Sequence, residues 1–326
     1  MATRDATDDE DEYDSFSFST QELDVLCAAN PALHTDVSTP SIEKAVIPLT
    51  PPPSARAPEM WRPPIVILAS NLASCVGLNR YCSLAEAAET VFARCYPRAY
   101  RKALARIGQS IGPTVEEILK ELSATAAVEV AIASSATDLA ANLRSLLIKV
   151  GGVDTEIAKD VQKHVYMERG ARGEAKTLTA VETTMKQNIG ERNDRLNVLQ
   201  LDTMTSGRQL RLSGRVDGIA ADGTLVEVKN RQRRFAGRVR LHEKVQVHAY
   251  MELTGIRSCI IAETYDGETR SHRVDFDESF WFMIVSRITR FARHLDRLLD
   301  DEALQYALLV DGDFPCDFIQ EVPVPV

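Results

Sequence analysis

The chain has 326 residues, 44% of them hydrophobic, with 38 Lys+Arg against 47 Asp+Glu for a formal charge of -9. That apolar content supplies a core for one large domain or two small ones and excludes a wholly disordered or fibrous protein. The acidic total speaks against a nucleic-acid partner only until it is resolved by segment. Residues 1–60 hold twelve acids and three bases (Arg4, Lys44, Arg56), residues 298–326 hold seven acids and no Lys or Arg, and residues 61–297 carry 35 bases against 28 acids.

No stretch reaches the roughly 18 apolar residues of a membrane span; the longest, Ile65 to Leu78, is interrupted by Ser70, Asn71 and Ser74. A soluble, intracellular protein of cytoplasm or nucleus with no membrane partner is expected. The cysteines (Cys27, Cys75, Cys82, Cys95, Cys259, Cys316) show no CxxC pair. Reduced, packed thiols are expected rather than a disulfide framework or an iron–sulfur site.

In chain order, residues 1–60 combine an acid run (Asp8 to Asp14) with a proline cluster (Pro48, Pro51, Pro52, Pro53). Such a segment buries too little apolar surface to offset the entropy of ordering, so a disordered arm is expected. A partner-docking peptide and an intramolecular mimic of DNA charge are the alternatives. From Ser70 to about Gln187 the pattern is helical: Ser83 with Glu86 and Thr114 with Glu117 have capping-box spacing, and Asp154 precedes another periodic run. From about Leu196 the period shortens, with strand-like runs at Gln209 to Ile219, Thr224 to Val228, Ile256 to Ala262 and Ser271 to Phe276, broken by a helix-like stretch from Leu241 to Leu253. A last amphipathic helix, Phe280 to about Leu299, places Phe280, Ile284, Ile288, Phe291, Leu295 and Leu298 on one face. The fold expected is α/β or α+β, with an acidic arm (1–60), one domain (61–299, mainly helical to 190) and an acidic C-terminal tail (300–326).

The segment Gly214-Arg-Val-Asp217-Gly218-Ile-Ala-Ala-Asp222-Gly223-Thr-Leu-Val226-Glu227-Val228-Lys229 carries the chemistry. Asp222-Gly223 between two strand-like runs is a hairpin signal that folds Asp217 back toward Glu227. Strand alternation sends Val226 and Val228 to the core and brings Glu227 and Lys229 out together on the other face. Two carboxylates that close suit a divalent cation with a preference for hard oxygen, Mg²⁺ or Mn²⁺. A lysine beside them can hold an attacking water or steady charge on a phosphate. An ordinary hairpin with surface ion pairs would give the same residues. Three further segments bear on the choice. Gln246 and Tyr250 lie i,i+4 on the following helix, Glu174 lies in Arg169-Gly170-Ala-Arg172-Gly173-Glu174, and Ser70 is placed to cap a short helix, a natural phosphate seat.

Taken together, these elements resemble the PD-(D/E)XK nucleases, and within them the phage lambda exonuclease/YqaJ-like viral recombination nucleases. The resemblance runs over about residues 62–255 and rests on Ala69-Ser70 with Gly77, Asn79 and Tyr81; Gly170 with Glu174; Asp217-Gly218 with Glu227 and Lys229; and Gln246 with Tyr250. It implies a restriction-endonuclease-like core, a mixed central β-sheet flanked by helices. It implies Asp217, Glu227, Glu174 and the Val228 carbonyl as ligands of Mg²⁺, two ions, with Mn²⁺ a substitute. Lys229 would position the water, Gln246 would orient water or phosphate, and Ser70 with Arg62 would hold a terminal 5′-phosphate. His248, two residues past Gln246, competes for the same role.

Arg231, Arg233, Arg234, Arg238, Arg240 and Lys244 follow the lysine with Phe235 among them. Beside a phosphate-cleaving site such a run is expected to grip the DNA backbone, in a sequence-independent and salt-sensitive way. A second cluster (Arg94, Arg98, Arg101, Lys102, Arg106) reads equally as an exposed helix face or a second DNA wall. The function expected is a Mg²⁺-dependent exonuclease on linear double-stranded DNA ends, serving recombination, repair or viral replication. The resemblance implies the 5′-to-3′ direction, an annealing-protein partner and assembly with further copies of the chain. A structure-specific endonuclease and a non-catalytic DNA-binding scaffold are the alternatives.

Overall fold

The computed structural model describes residues 62–316, except 111, 113–114, 122–123, 134–135, 151–154, 191, 193–194 and 232–233. The expected acidic arm, Trp61, the helix-start residues Thr114 and Asp154, and Arg233 lie outside the described residues.

The protein is a mixed α/β fold, and its described residues form two sheets. Strands β1 (Ile65–Leu68), β3 (Asn197–Thr203) and β4 (Gln209–Gly214) form one sheet in the order β1-β4-β3, with β1 parallel and β3 antiparallel to β4. Strands β2 (Ile189–Gly190), β5 (Gly218–Ala220), β6 (Leu225–Asn230), β7 (Ser258–Tyr265) and β8 (Glu268–Asp275) form the other in the order β2-β5-β6-β7-β8. Only β6 and β7 run parallel there, because α8 (Leu241–Thr254) crosses between them.

The helices before β2 are α1 (Leu72–Cys75), α2 (Leu84–Cys95), α3 (Pro97–Arg106), α4 (Val115–Glu121), α5 (Thr125–Ala133), α6 (Ala136–Val150) and α7 (Thr155–Met185); α9 (Glu278–Asp300) and α10 (Glu302–Tyr306) follow β8. Helix α2 begins where its sequence says: Ser83 Oγ accepts from the Glu86 amide at 3.2 Å and Glu86 Oε2 from the Ser83 amide at 2.6 Å. Helix α9 buries all six residues of its apolar stripe, starting at Phe280, behind an Asp277 cap that accepts from the Phe280 amide at 3.0 Å. The main core joins both sheets to α2, α8 and α9; a helical core gathers α4 to α7; a small one packs Leu178 and Val181 of α7 against Val226, Val228 and Ala262. Residues beyond α9 pack as well: Leu308, Phe314 and Cys316 join the main core, and residues 317–326 of the expected acidic tail lie outside the described residues.

Three local expectations change. Strand β1 lies inside what read as the start of the helical part; its four residues are buried, and a strand covered on both faces carries no alternation. Ser70 caps no helix, because it sits inside the 3₁₀ turn Ala69–Asn71 while Leu68 and Asn71 occupy the N-cap positions. The run Gln209 to Ile219 breaks at Arg215-Val216-Asp217, with β4 in one sheet and β5 in the other.

Candidate active site

Asp217 occupies that change of sheet. Freed from ladder pairing, it turns its Oδ2 onto the Val228 amide of β6 and accepts a 2.7 Å hydrogen bond. The expected hairpin supplies the register: Gly218 pairs with Val226 and Ile219 with Leu225. At the turn Gly223 has φ +83° and Asp222 Oδ1 accepts from the Thr224 amide at 2.9 Å. The glycines flanking the break are sterically required. A Cβ on Gly214 would stand 2.7 Å from the Tyr250 ring and 2.9 Å from Ala69 Cβ, and one on Gly218 would run into the Ile189 side chain.

Along β6, Val226 and Val228 face α7 while Glu227 and Lys229 point the other way, as alternation requires. That other face is not surface: α8 covers it, leaving Glu227 2% and Lys229 3% exposed. Lys229 Nζ donates to Glu227 Oε1 and to Gln246 Oε1, both at 3.0 Å. Gln246 Nε2 donates to Glu227 Oε1 at 2.9 Å and contacts Tyr250 Oη at 3.1 Å. Gln246 and Tyr250 reach the site together because i and i+4 share a helix face. His248 points elsewhere: its Nδ1 lies 2.7 Å from the Lys244 carbonyl, its Nε2 accepts from the Asp277 amide, and its ring packs on Phe276 and Phe280. Gln246 is therefore the helix residue at the site.

Burial, then the neighbouring Glu227 and Glu174 carboxylates, hold the Asp217 carboxyl well above the ordinary carboxylate range. Burial likewise raises Glu227, with Lys229 the main opposing influence and Asp217 within hydrogen-bonding reach. Tyr250 is pushed well up by burial and by the same two carboxylates, so it remains a phenol. Carboxyl groups this close in a dry site share a proton or a cation.

Among the described residues no group of three or more His, Cys, Asp or Glu side chains forms a cluster able to hold a metal ion. Mg²⁺ seldom uses such a cage; one or two carboxylates suffice, with waters and substrate phosphates completing its octahedron. The donors present suit that pattern. Glu227 Oε2 is buried without a hydrogen-bond partner. Val228 shows its amide to Asp217, and the amide and carbonyl of a strand residue share an edge, so its carbonyl faces the same side. Glu174, 9% exposed on α7, lies near enough to raise Asp217.

The remaining expected residues divide. Ser70 lies beside the site, in the turn whose Ala69 abuts Gly214, with its Oγ buried and without a partner. Arg62 stands before the opposite end of β1, where it pairs with Asp300 at 2.6 Å. The length of that strand separates it from Ser70, and the two do not form one phosphate seat. Arg231 does not face solvent. Its side chain is 3% exposed and pairs with Glu243 at 2.6 Å and with the fully buried Glu263. Arg234 and Arg238 are exposed, so the surface-facing part of the basic run starts after Arg231. In the second cluster, Arg94 donates to the Val66 carbonyl at 2.7 Å and Arg106 pairs with Glu302, whereas Arg98 and Lys102 are exposed.

Sequence reasoning missed the acids that fix Arg231. Glu243 carried a signal, its capping-box spacing from Arg240; Glu263 carried none, because its partner is set by the parallel pairing of β6 with β7.

No protein-family model matches the chain, and no curated protein matches it. Among solved structures, the alkaline exonuclease LHK-Exo from Laribacter hongkongensis is similar over 57% of this chain and 94% of that one, at 15% identity and a TM-score of 0.35. LHK-Exo in complex with dAMP is similar over 54% and 88%, at 15% identity and a TM-score of 0.34.

Proposed function

We propose that the protein is a Mg²⁺-dependent deoxyribonuclease that hydrolyses one strand of linear double-stranded DNA from its end. One observation carries this reading: Asp217, Glu227, Lys229 and Gln246 converge in a buried, hydrogen-bonded cluster at the point where the chain changes sheets. An ordinary hairpin would leave Glu227 and Lys229 on the surface, where an ion pair contributes little. The end preference and the 5′-to-3′ direction rest on the sequence resemblance, as do an annealing partner and assembly of several copies.

Asp217, Glu227 and the Val228 carbonyl would hold the cation, with Glu174 completing its surroundings. When bound, Mg²⁺ supplies Lewis-acid stabilisation of charge on the scissile phosphate and the leaving oxygen. Lys229, fixed between Glu227 and Gln246, orients the attacking water and steadies negative charge building on the phosphate. Gln246 orients the same water, and Tyr250 packs behind it against Gly214. The partnerless Ser70 hydroxyl is available to a terminal phosphate. The exposed Arg234 and Arg238 would hold the DNA backbone, a contact weakened by salt.

The test is digestion of an end-labelled linear duplex beside a covalently closed circle in Mg²⁺. Loss of the linear duplex alone is expected, together with loss of that activity in Asp217→Ala. Equal cleavage of the circle would favour an endonuclease on the same site, and cleavage surviving Asp217→Ala would overturn the site.

A further inference from the structure

We infer that Asn230 is a positioning residue for Glu174, and that its side-chain amide sets the distance between α7 and the carboxylates on the sheet. Asn230 follows Lys229 at the end of β6 and bridges to α7 at two points. Its Nδ2 donates to the Gly170 carbonyl at 3.0 Å, and its Oδ1 accepts from Thr177 Oγ1 at 2.7 Å. Helix carbonyls point toward the C-terminus while side chains lean toward the N-terminus, so these groups from residues seven apart converge near the level of Gly173 and Glu174.

Gly173 makes room for the amide. A Cβ there would lie 3.1 Å from Asn230 Nδ2 and 3.4 Å from its Cγ, tighter than ordinary contact, whereas a Cβ on Gly170 would meet nothing within 4 Å. The fit is specific to asparagine, because one end of the amide must donate and the other accept. Aspartate in its place would set a carboxylate oxygen against the Gly170 carbonyl.

Glu174 adjoins Gly173 and is 9% exposed, on the helix that Asn230 holds against the strand bearing Glu227. The clamp therefore acts on the gap between α7 and the sheet, across which Glu174 would complete the surroundings of a cation held by Asp217 and Glu227. The inference rests on the metal-site reading proposed above. Groups that orient metal ligands typically change metal affinity by about 10–100-fold when removed.

The test is Mn²⁺ binding to the full chain, by titration calorimetry and by the electron paramagnetic resonance of free Mn²⁺, with a melting curve for each variant. Asn230→Ala is expected to weaken Mn²⁺ binding about tenfold. Thr177→Val should weaken it less and Thr177→Ser should restore it. In a Glu174→Ala background Asn230→Ala should have no further effect, since residues acting through one group are not additive. If Asn230→Ala does not fold, Thr177→Val against Thr177→Ser carries the comparison. Asn230→Ala that folds and binds Mn²⁺ as wild type does, or whose loss adds fully to that of Glu174→Ala, overturns the inference while leaving the metal site standing. Wild-type protein that binds no Mn²⁺ overturns the metal site and the inference with it.

Discussion

Replacing Arg231 by alanine would leave two carboxylates facing each other in the interior, Glu263 at 0% and Glu243 at 1% exposure. Burial alone would raise the Glu243 carboxyl, but Arg231 and then Lys229 outweigh it and hold it below its ordinary value. Removing one partner of a buried ion pair costs about 3–5 kcal/mol, because the charge left behind loses its compensation. For a domain of this size that corresponds to a fall in melting temperature on the order of 10 °C. Arg231→Ala is therefore expected to melt markedly lower. Scanning calorimetry at pH 7 measures this, and DNA affinity followed from about 50 to 200 mM salt separates the alternative. A guanidinium gripping a phosphate would leave stability nearly unchanged and reduce the salt slope by about one when removed. That pattern would refute the placement of Arg231 in a buried network, and a lowered melting temperature with an unchanged slope bears it out.

Three further outcomes follow from the geometry. Gly214→Ala should destabilise by about 1–3 kcal/mol, as overpacking does, and should lower turnover by moving Tyr250 and Gln246; melting and activity at wild-type values would contradict the close approach. Asp217 has its folded-state value raised well above 3.8, so its carboxyl favours folding while protonated and that stability is lost as pH rises from about 4 through the raised value. Metal-free Asp217→Asn should thus melt above wild type at pH 8 and lose the advantage at pH 4, whereas a lower melting temperature at pH 8 would contradict the raised value. His242 runs the other way. Burial, then Lys229, Arg240 and Arg231 against the opposing Glu243, lower it from 6.5 to about 4, so its contribution is full above 6.5 and lost as pH falls toward 4. Urea denaturation of His242→Asn should show up to about 3 kcal/mol less acid destabilisation than wild type across that window, and equal slopes would contradict it.

The parts of the site legible in the sequence are those governed by short-range rules. Asp222-Gly223 fixes the hairpin by turn chemistry, alternation puts Glu227 and Lys229 on one face, and i,i+4 spacing joins Gln246 to Tyr250. The parts that were not legible depend on which surface covers which. Strand alternation cannot say whether the face opposite Val226 and Val228 meets water or α8, so a surface hairpin ion pair stays open beside a buried site until burial decides it. The break at Asp217 is invisible because residues on both sides keep strand character while changing sheet. Arg231 reads as the first residue of a DNA-gripping basic run because its neutralising acids lie 12 and 32 residues further along, on α8 and β7. Arg62 and Ser70 fall close in sequence but at opposite ends of an extended strand, where each residue adds about 3.3 Å.

The central claim is that the buried cluster around Lys229 cleaves phosphodiester bonds. Its most direct measurement is the initial rate of nucleotide release from an end-labelled linear duplex in saturating Mg²⁺, for wild type and Lys229→Ala, each with its melting curve. The expected result is Mg²⁺-dependent release by wild type, and a loss on the order of 100-fold or more in a Lys229→Ala protein that still unfolds cooperatively, in keeping with removal of a group that positions and activates the nucleophile. Release by folded Lys229→Ala at a rate near wild type, or no release by wild type on any linear duplex, would contradict it.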